Sequence, residues 1–323
     1  MDNTEDVVLT TRIRLARNIK GYNFPNNMID KKRKELVKHI KEKVENDYTI
    51  LELENMDEVT KKSLVETHTI SKELLDGCAT ALILDEQNNI TCMVNEEDHL
   101  RIQVFEKGFD LHKAYEEIIS FDNALSKKLD YAYTEDYGYI TACPTCIGTG
   151  MRVSVMLHLP ALEKIGALDK IFNEISNLGI SIRGMYGENT QGDGSIYQIS
   201  NQKTLGLRYE DILQQVEQVT NYIIKQERKA REIIKNRIMV KDEIFRSYGI
   251  LKNALVISKK EAIKLLSNVR LGVNMELLSD LTLENVDKVI KNIGANTLKK
   301  NYKEDFSKEN EDIKRAEYIK SNM

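Results

Sequence analysis

The chain has 323 residues, of which 41% are hydrophobic and 30% charged, with a net charge of −4. That balance suits a soluble two-domain protein, and no stretch reaches the ~20 apolar residues that span a bilayer. Four cysteines without framework spacing argue against a disulfide scaffold. The opening MDNTEDVVLT lacks the basic-then-apolar layout of a secretory signal, so a cytoplasmic location is expected.

Along the chain, Arg12 and Arg14 alternate with Ile13 and Leu15, which on a strand turns both guanidinium groups to one face. Residues 31–46 place Leu36, Ile40 and Val44 four apart among charges, predicting an amphipathic helix. TALIL (80–84) and ITCMV (90–94) flank Glu86-Gln87-Asn88-Asn89 as a hairpin, and Leu100 to Phe105 continues as a third strand. Helical spacing returns over 110–130 through Leu111, Ala114, Ile118, Leu125 and Leu129. From residue 151 the period is two, with Val153, Val155, Leu157 and Leu159 on one face. Strands at 181–185 and 195–199 bracket a glycine-rich loop, and a long helix follows from about 208 to 235.

After that helix the chemistry changes. No proline occurs beyond Pro160, glycine thins out, and the segments look helical. Ser258-Lys259-Lys260-Glu261 is a capping box ahead of Ala262 and Ile263, and helices are expected at 283–292 and 309–321. Residues 225–270 carry 13 basic and 5 acidic groups, a net +8 that reads as a solvated helix face or as a dock for an acidic partner. The expected fold is α+β: an antiparallel sheet with helices over 1–235, then a small all-helical domain over 236–323.

Arginine is the minority cation, 14 against 33 lysines, and its planar fork binds phosphate bidentately where lysine cannot. Between Lys128 and Lys164, His158 apart, the only basic residue is Arg152; between Lys170 and Lys203 it is Arg183. Four segments carry candidate chemistry. TRIRLARN (11–18) sets two cations side by side, as an anion site or as a solvated edge strand. NEEDHLR (95–101) crowds three carboxylates, which suits acid–base work or magnesium ligation, or is an acidic hairpin turn. Cys143-Pro144-Thr145-Cys146 lacks a second CxxC and a βαβ setting, so it reads as a reactive thiol by an anion site or as two buried thiols. Arg183-Gly184-Met185-Tyr186-Gly187-Glu188, running on to Gly194, is a loop able to close over a substrate, or a plain surface loop.

Taken together, NEEDHLR, the CPTxxGTGxR run, RGxxGE and SNxxxLG (200–206) resemble the ATP:guanido phosphotransferases, in order over about residues 7–235. Within that family the SVMLHLPAL run (154–162), RGxYGE, RSYGIL (246–251) and LSNVRLG (266–272) look most like the bacterial protein-arginine kinase branch (McsB type). The resemblance implies a guanido kinase catalytic domain that moves the ATP γ-phosphoryl group, with Mg²⁺, onto arginine side chains. It matches Arg12, Arg14, Arg101, Arg152 and Arg183 to the arginines that cradle the nucleotide phosphates, with no protein metal ligand. Glu97 matches the base, Glu188 the second carboxylate clamping the guanidinium, and Cys143 the cysteine against the guanidino nitrogens.

Cys146 departs from the asparagine usual in creatine and arginine kinases, and Met156 from their histidine near the adenine. The arginine motif begins at residue 11, where phosphagen kinases have a small helical domain first, so a protein-borne arginine is expected as acceptor. A small-molecule phosphagen kinase and a phosphoarginine-binding adaptor are the alternatives. The branch further implies a homodimer, a zinc-finger activator, a Clp-type protease and a heat-shock repressor as substrate, with no nucleic acid or membrane partner. Its phosphoarginine-binding segment matches Asn310–Arg315, including Asp312, but Glu311 stands where a basic residue is expected.

Overall fold

The computed structural model describes residues 4–85, 87, 89–184 and 193–323. Its strands are β1 (Val8–Arg17), β2 (Thr49–Glu52), β3 (Ala81–Asp85), β4 (Ile90–Val94), β5 (Leu100–Lys107), β6 (Tyr133–Thr134), β7 (Gly138–Tyr139), β8 (Met151–His158), β9 (Ile180–Gly184) and β10 (Ile196–Asn201). The helices are α1 (Asp30–Val44), α2 (Glu58–Glu66), α3 (Lys72–Leu75), α4 (Leu111–Ser126), α5 (Pro160–Lys164) and α6 (Leu168–Ser176). They continue with α7 (Tyr209–Ile234), α8 (Ile238–Asn253), α9 (Lys259–Asn274), α10 (Leu283–Asn292), α11 (Ala295–Tyr302) and α12 (Lys308–Asn322).

Eight strands form one antiparallel sheet in the order β2-β3-β4-β5-β1-β8-β10-β9, and β6 pairs with β7 alone. The expected hairpin is β3–β4, with Glu86 and Asn88 of its turn outside the described residues. The sequence expectation of a strand through Arg12 and Arg14, of strands near 181 and 195, and of the helices up to 309–321 holds within a few residues.

Period-two patterning makes the sheet two-sided. Ile13, Leu15, Ile102, Val104, Val153 and Val155 are fully buried on one face, each worth on the order of 1.5–3 kcal/mol. Helix α4 covers that face over β1 and β5, and α7 covers it over β8 and β10. The opposite face is polar along its centre. At one edge it carries a small apolar cluster of Leu53, Ile70, Leu74, Leu82 and Met93, which lays the α2–α3 stretch over β3 and β4.

Helices α8 to α12 follow α7, and α9 packs on α8, α10 and the turn at Asp193–Ser195. Of the predicted capping box the N-cap half is present, Ser258 Oγ accepting from Glu261 N at 3.3 Å, and among the described residues no return bond runs from Ser258 N to the Glu261 side chain. Arg270 of α9 is fully buried and ties this region to the N-terminus. It donates to Asp287 at 2.7 Å, to the Glu5 carbonyl at 2.6 Å and to the Asp6 carbonyl at 3.0 Å. It also donates to His158 Nδ1 at 3.2 Å, so that ring must carry its proton on Nε2 and give it to Ser267 Oγ, 2.8 Å away. Among the described residues no helix is long and apolar enough to cross a membrane.

Candidate functional site

Strand register gathers the five predicted arginines on the polar face. Arg14 is opposite Arg152 and Arg12 opposite Ser154; Arg101 is opposite Ala16. Arg183 is opposite Gln198, itself opposite Met156. Cross-strand partners share a face, so these side chains all leave the sheet on the side that α4 and α7 do not cover.

Small polar residues hold the cations in place. Arg12 donates to Ser154 Oγ at 3.3 Å and to Gln198 Oε1 at 3.1 Å, with its guanidinium 5.5 Å from the Phe105 ring centroid. Arg152 donates to Ser200 Oγ at 3.0 Å and to Ser181 Oγ at 3.4 Å. Arg101 pairs with Glu96. Arg14 Nε is buried and, among the described residues, without a hydrogen-bond partner.

The cations perturb one another. Burial first, then Arg101 and Arg152, brings Arg12 down to about 10. Burial, Arg12, Arg101 and Arg152 push Arg14 well below its ordinary value. Arg152 is lowered by burial and by Arg183. Arg101 moves the other way: burial lowers it, but Glu96, with Glu97 and Glu73, together raise it more. Clustered guanidinium groups with an orphaned donor fit a polyanion such as a nucleotide triphosphate, which would remove the repulsion and fill the donor. Arg17 takes no part: it is buried, bonded to Asp122 at 2.7 Å and stacked 3.6 Å from the Tyr139 ring.

The three carboxylates separate by environment. Glu96 is buried against Arg101. Asp98 is buried, accepting from Asn18 Nδ2 at 2.6 Å and from the Ala142 amide at 2.7 Å. Glu97 is exposed, and among the described residues its carboxylate has no hydrogen bond. Its pKa is raised by partial burial and by Asp98, against a smaller pull from Arg101. His99 is buried and neutral, accepting from Ile19 N at 2.9 Å and donating from Nε2 to the Asn23 carbonyl at 2.8 Å.

Since Asp98 follows Glu97 and Ala142 precedes Cys143, their hydrogen bond draws the cysteine segment beside the acids. That segment turns at Pro144–Cys146 and is anchored by Thr204 Oγ1, which donates to the Thr145 and Ile147 carbonyls at 2.9 and 2.6 Å. Its two glycines are required by space. Gly148, at φ +110°, lies so close to Thr204 and Leu205 that a Cβ would sit 2.7 Å from the Thr204 carbonyl. At Gly150, φ +64°, a Cβ would meet Arg17 and the Ala16 carbonyl at 2.6 and 2.7 Å. Cys143 is half-buried, its Sγ 3.0 Å from Thr145 Oγ1. Burial, then Cys143, pushes the Cys146 thiol up.

Glu188 lies outside the described residues; the described backbone stops at Gly184 and resumes at Asp193. Asp312 and Glu311 are on α12, which packs on α8, α10 and α11. Asp312 is ion-paired with Arg315, whose guanidinium also caps the Ile257 and Ile293 carbonyls at 2.9 and 3.0 Å. The sequence reading missed Gln198, Ser181 and the Ser154 and Ser200 hydroxyls as holders of the arginines. It also missed His68 at the end of α2, taken down to about 4 by burial, Arg12 and Lys259.

Residues 28–230 match the family model of the ATP:guanido phosphotransferase C-terminal catalytic domain. Residues 237–323 match that of the protein-arginine kinase McsB C-terminal domain. The chain is 43% identical to a protein-arginine kinase of Clostridium acetobutylicum, covering 98% of this chain and 96% of the relative. It is 41% identical to one of Caldanaerobacter subterraneus subsp. tengcongensis, covering 99% and 97%. Among solved structures it is similar to the duplicated taurocyamine kinase of Schistosoma mansoni with bound transition-state-analogue components. That match has a TM-score of 0.64 at 30% identity over 71% of this chain and 34% of the other. A lombricine kinase shares the fold at TM-score 0.61 and 24% identity, covering 69% of this chain and 67% of the other.

Proposed function

The chain belongs to the ATP:guanido phosphotransferase family, and from that membership we infer that it is a protein-arginine kinase, moving the γ-phosphoryl group of ATP onto arginine side chains of proteins. The observation that carries the residue assignment is the contrast within NEEDHLR: Glu96 and Asp98 are buried and bonded, while Glu97 is exposed beside the arginine cluster.

Arg12, Arg14, Arg101, Arg152 and Arg183 grip the nucleotide phosphates and neutralise charge as the leaving ADP departs. Mg²⁺ commonly binds through substrate phosphates and water rather than a protein cage, and when bound it supplies further charge neutralisation. The acceptor is the harder half, since a guanidinium stays protonated far above pH 7 and is not nucleophilic there. Glu97 holds it in line and takes one N–H proton as the P–N bond forms and the bond from phosphorus to the β-phosphate oxygen breaks. A carboxylate with a raised pKa is the better base for that proton. Cys143 lies against the guanidino nitrogens, and Glu188 supplies the second carboxylate.

As further parts of the same proposal, the cytoplasmic enzyme forms a homodimer and answers to a zinc-finger activator. It marks proteins for a Clp-type protease, and a heat-shock repressor is one substrate. Asp312, with Glu311, is its candidate phosphoarginine contact. The McsB-type match over residues 237–323 supports this branch.

The test is incubation of the full chain with ATP, Mg²⁺ and a basic protein, followed by mass spectrometry that preserves P–N bonds. Acid-labile phosphate on arginine is expected from the wild type and none from Glu97→Ala. Robust phosphorylation of free arginine with none on protein would sink the reading, and full activity in Glu97→Ala would remove Glu97 from its role.

A further inference from the structure

Of the two thiols in the CxxC motif, phosphoryl transfer as proposed uses Cys143 and leaves Cys146 idle. Cys146 is no remote neighbour. Its backbone N–H donates to the Cys143 carbonyl at 3.0 Å, closing the single turn Pro144–Cys146. A turn closed by such a bond keeps its end Cα atoms within about 7 Å, and disulfides bridge Cα separations of about 4.4–6.8 Å. Both cysteines are free and half-buried, so a small oxidant reaches them, whereas Cys92 is buried. Among the described residues the Cys143 thiol is held only by Thr145 Oγ1, a weak contact on an exposed side chain that rotation of the thiol breaks. Arg152 lies within electrostatic reach of both sulfurs.

We propose that Cys143 and Cys146 form a dithiol modification site, closed to an intramolecular disulfide by small-molecule disulfides and reopened by thiols. Cys143, as thiolate, attacks one sulfur of the oxidant RSSR; that S–S bond breaks and RS⁻ leaves. Cys146 then gives its proton to the departing RS⁻, and its sulfur attacks Cys143 Sγ, releasing the second RS⁻, which solvent protonates. The two cysteines are oxidised, RSSR is reduced to two RSH, and the proton lost by Cys143 balances the last one taken up. Closure takes the Cys143 sulfur away from the guanidino nitrogens and stops phosphoryl transfer. That loss of activity rests on the proposed place of Cys143; the formation of the disulfide does not.

Oxidised glutathione serves as the probe, with peptide mapping by mass spectrometry to separate this site from Cys78. The wild type should lose two hydrogens from the peptide holding residues 143–146 and lose its kinase activity, both restored by dithiothreitol. Cys146→Ser should keep full activity when reduced and instead hold one glutathione on Cys143 without closing. A wild type that only accumulates the glutathione adduct, with no loss of two hydrogens, overturns the dithiol site. A closed disulfide with undiminished phosphorylation overturns the shut-off, and with it the place given to Cys143.

Discussion

Arg14 on β1 and Arg152 on β8 are directly opposite cross-strand partners, two cations at a position where a sheet gains from opposite charges. Arg14 also buries an Nε that no group among the described residues satisfies. A protein that needed only stability would place an apolar residue there. The expected result for Arg14→Met is therefore a ligand-free enzyme more stable than wild type by about 0.5–1 kcal/mol. Its kcat/KM should fall by roughly 10²–10³-fold, the usual cost of removing one preorganised donor. Thermal unfolding without ATP checks the first half and steady-state kinetics the second; ATP should also raise the wild-type Tm more than the variant's. A variant less stable than wild type without ATP would contradict the strained-cluster account.

The arginines were legible because lysine is the ordinary cation here and a strand period fixes which residues share a face. Gln198, Ser181 and the roles of Ser154 and Ser200 were not, since common residues become arginine holders only through the β8–β10 and β10–β9 registers. Nor did NEEDHLR reveal which carboxylate is available. Glu96 and Asp98 are spoken for by Arg101 and by Asn18 and Ala142, the last two distant in sequence. β2, α2 and α3 are short and weakly periodic, and the cluster of Leu53, Ile70, Leu74, Leu82 and Met93, not local pattern, sets them on the sheet.

Glu97 makes the pH dependence of catalysis predictable in sign. As the base it must be ionised, and partial burial with Asp98 raises its pKa. Activity should therefore rise with pH through a value above the ordinary carboxylate range, on the acid limb of a kcat/KM profile. Glu97→Gln should lower kcat by roughly 10²–10⁴-fold and leave folding intact, since its carboxylate has no hydrogen bond to lose among the described residues. An acid limb that persists unchanged in the residual activity of Glu97→Gln would assign that ionisation to another group.

Glu66, at the end of α2, caps a helix distant in sequence. Its oxygens accept from the Asn296 and Thr297 amides of α11 at 3.1 and 2.8 Å, and from their side chains at 2.9 and 2.8 Å. Burial opposes the charge, yet these bonds hold the carboxyl below its ordinary range. A depressed folded value means the contribution is present above the unfolded pKa and is lost as pH falls through the folded one. Glu66→Ala should cost about 1 kcal/mol near neutral pH, shrinking in acid. Equal denaturation midpoints for variant and wild type at pH 7 would show that this cap contributes nothing.

Glu227 of α7 gives the opposite pH signature. It is fully buried and accepts from the Ala161 and Leu162 amides at the start of α5, both at 2.9 Å. Burial outweighs those two bonds and lifts its pKa to about 7. The folded state thus holds a proton that the unfolded chain has released, over the window from the unfolded carboxylate value of about 4.3 up to that raised one. Stability must fall as pH rises across this window, because the unfolded state binds fewer protons there. Glu227→Gln cannot ionise, though its amide puts a donor against one backbone N–H, so it should be less stable by about 1–3 kcal/mol at pH 5. The gap between variant and wild type should then narrow toward pH 8, as ionisation erodes the wild type alone. Urea denaturation of both proteins at several pH values measures that gap directly. A gap that stays constant or widens with pH would mean that Glu227 is already ionised in the folded protein at pH 5, its charge held by the α5 amides.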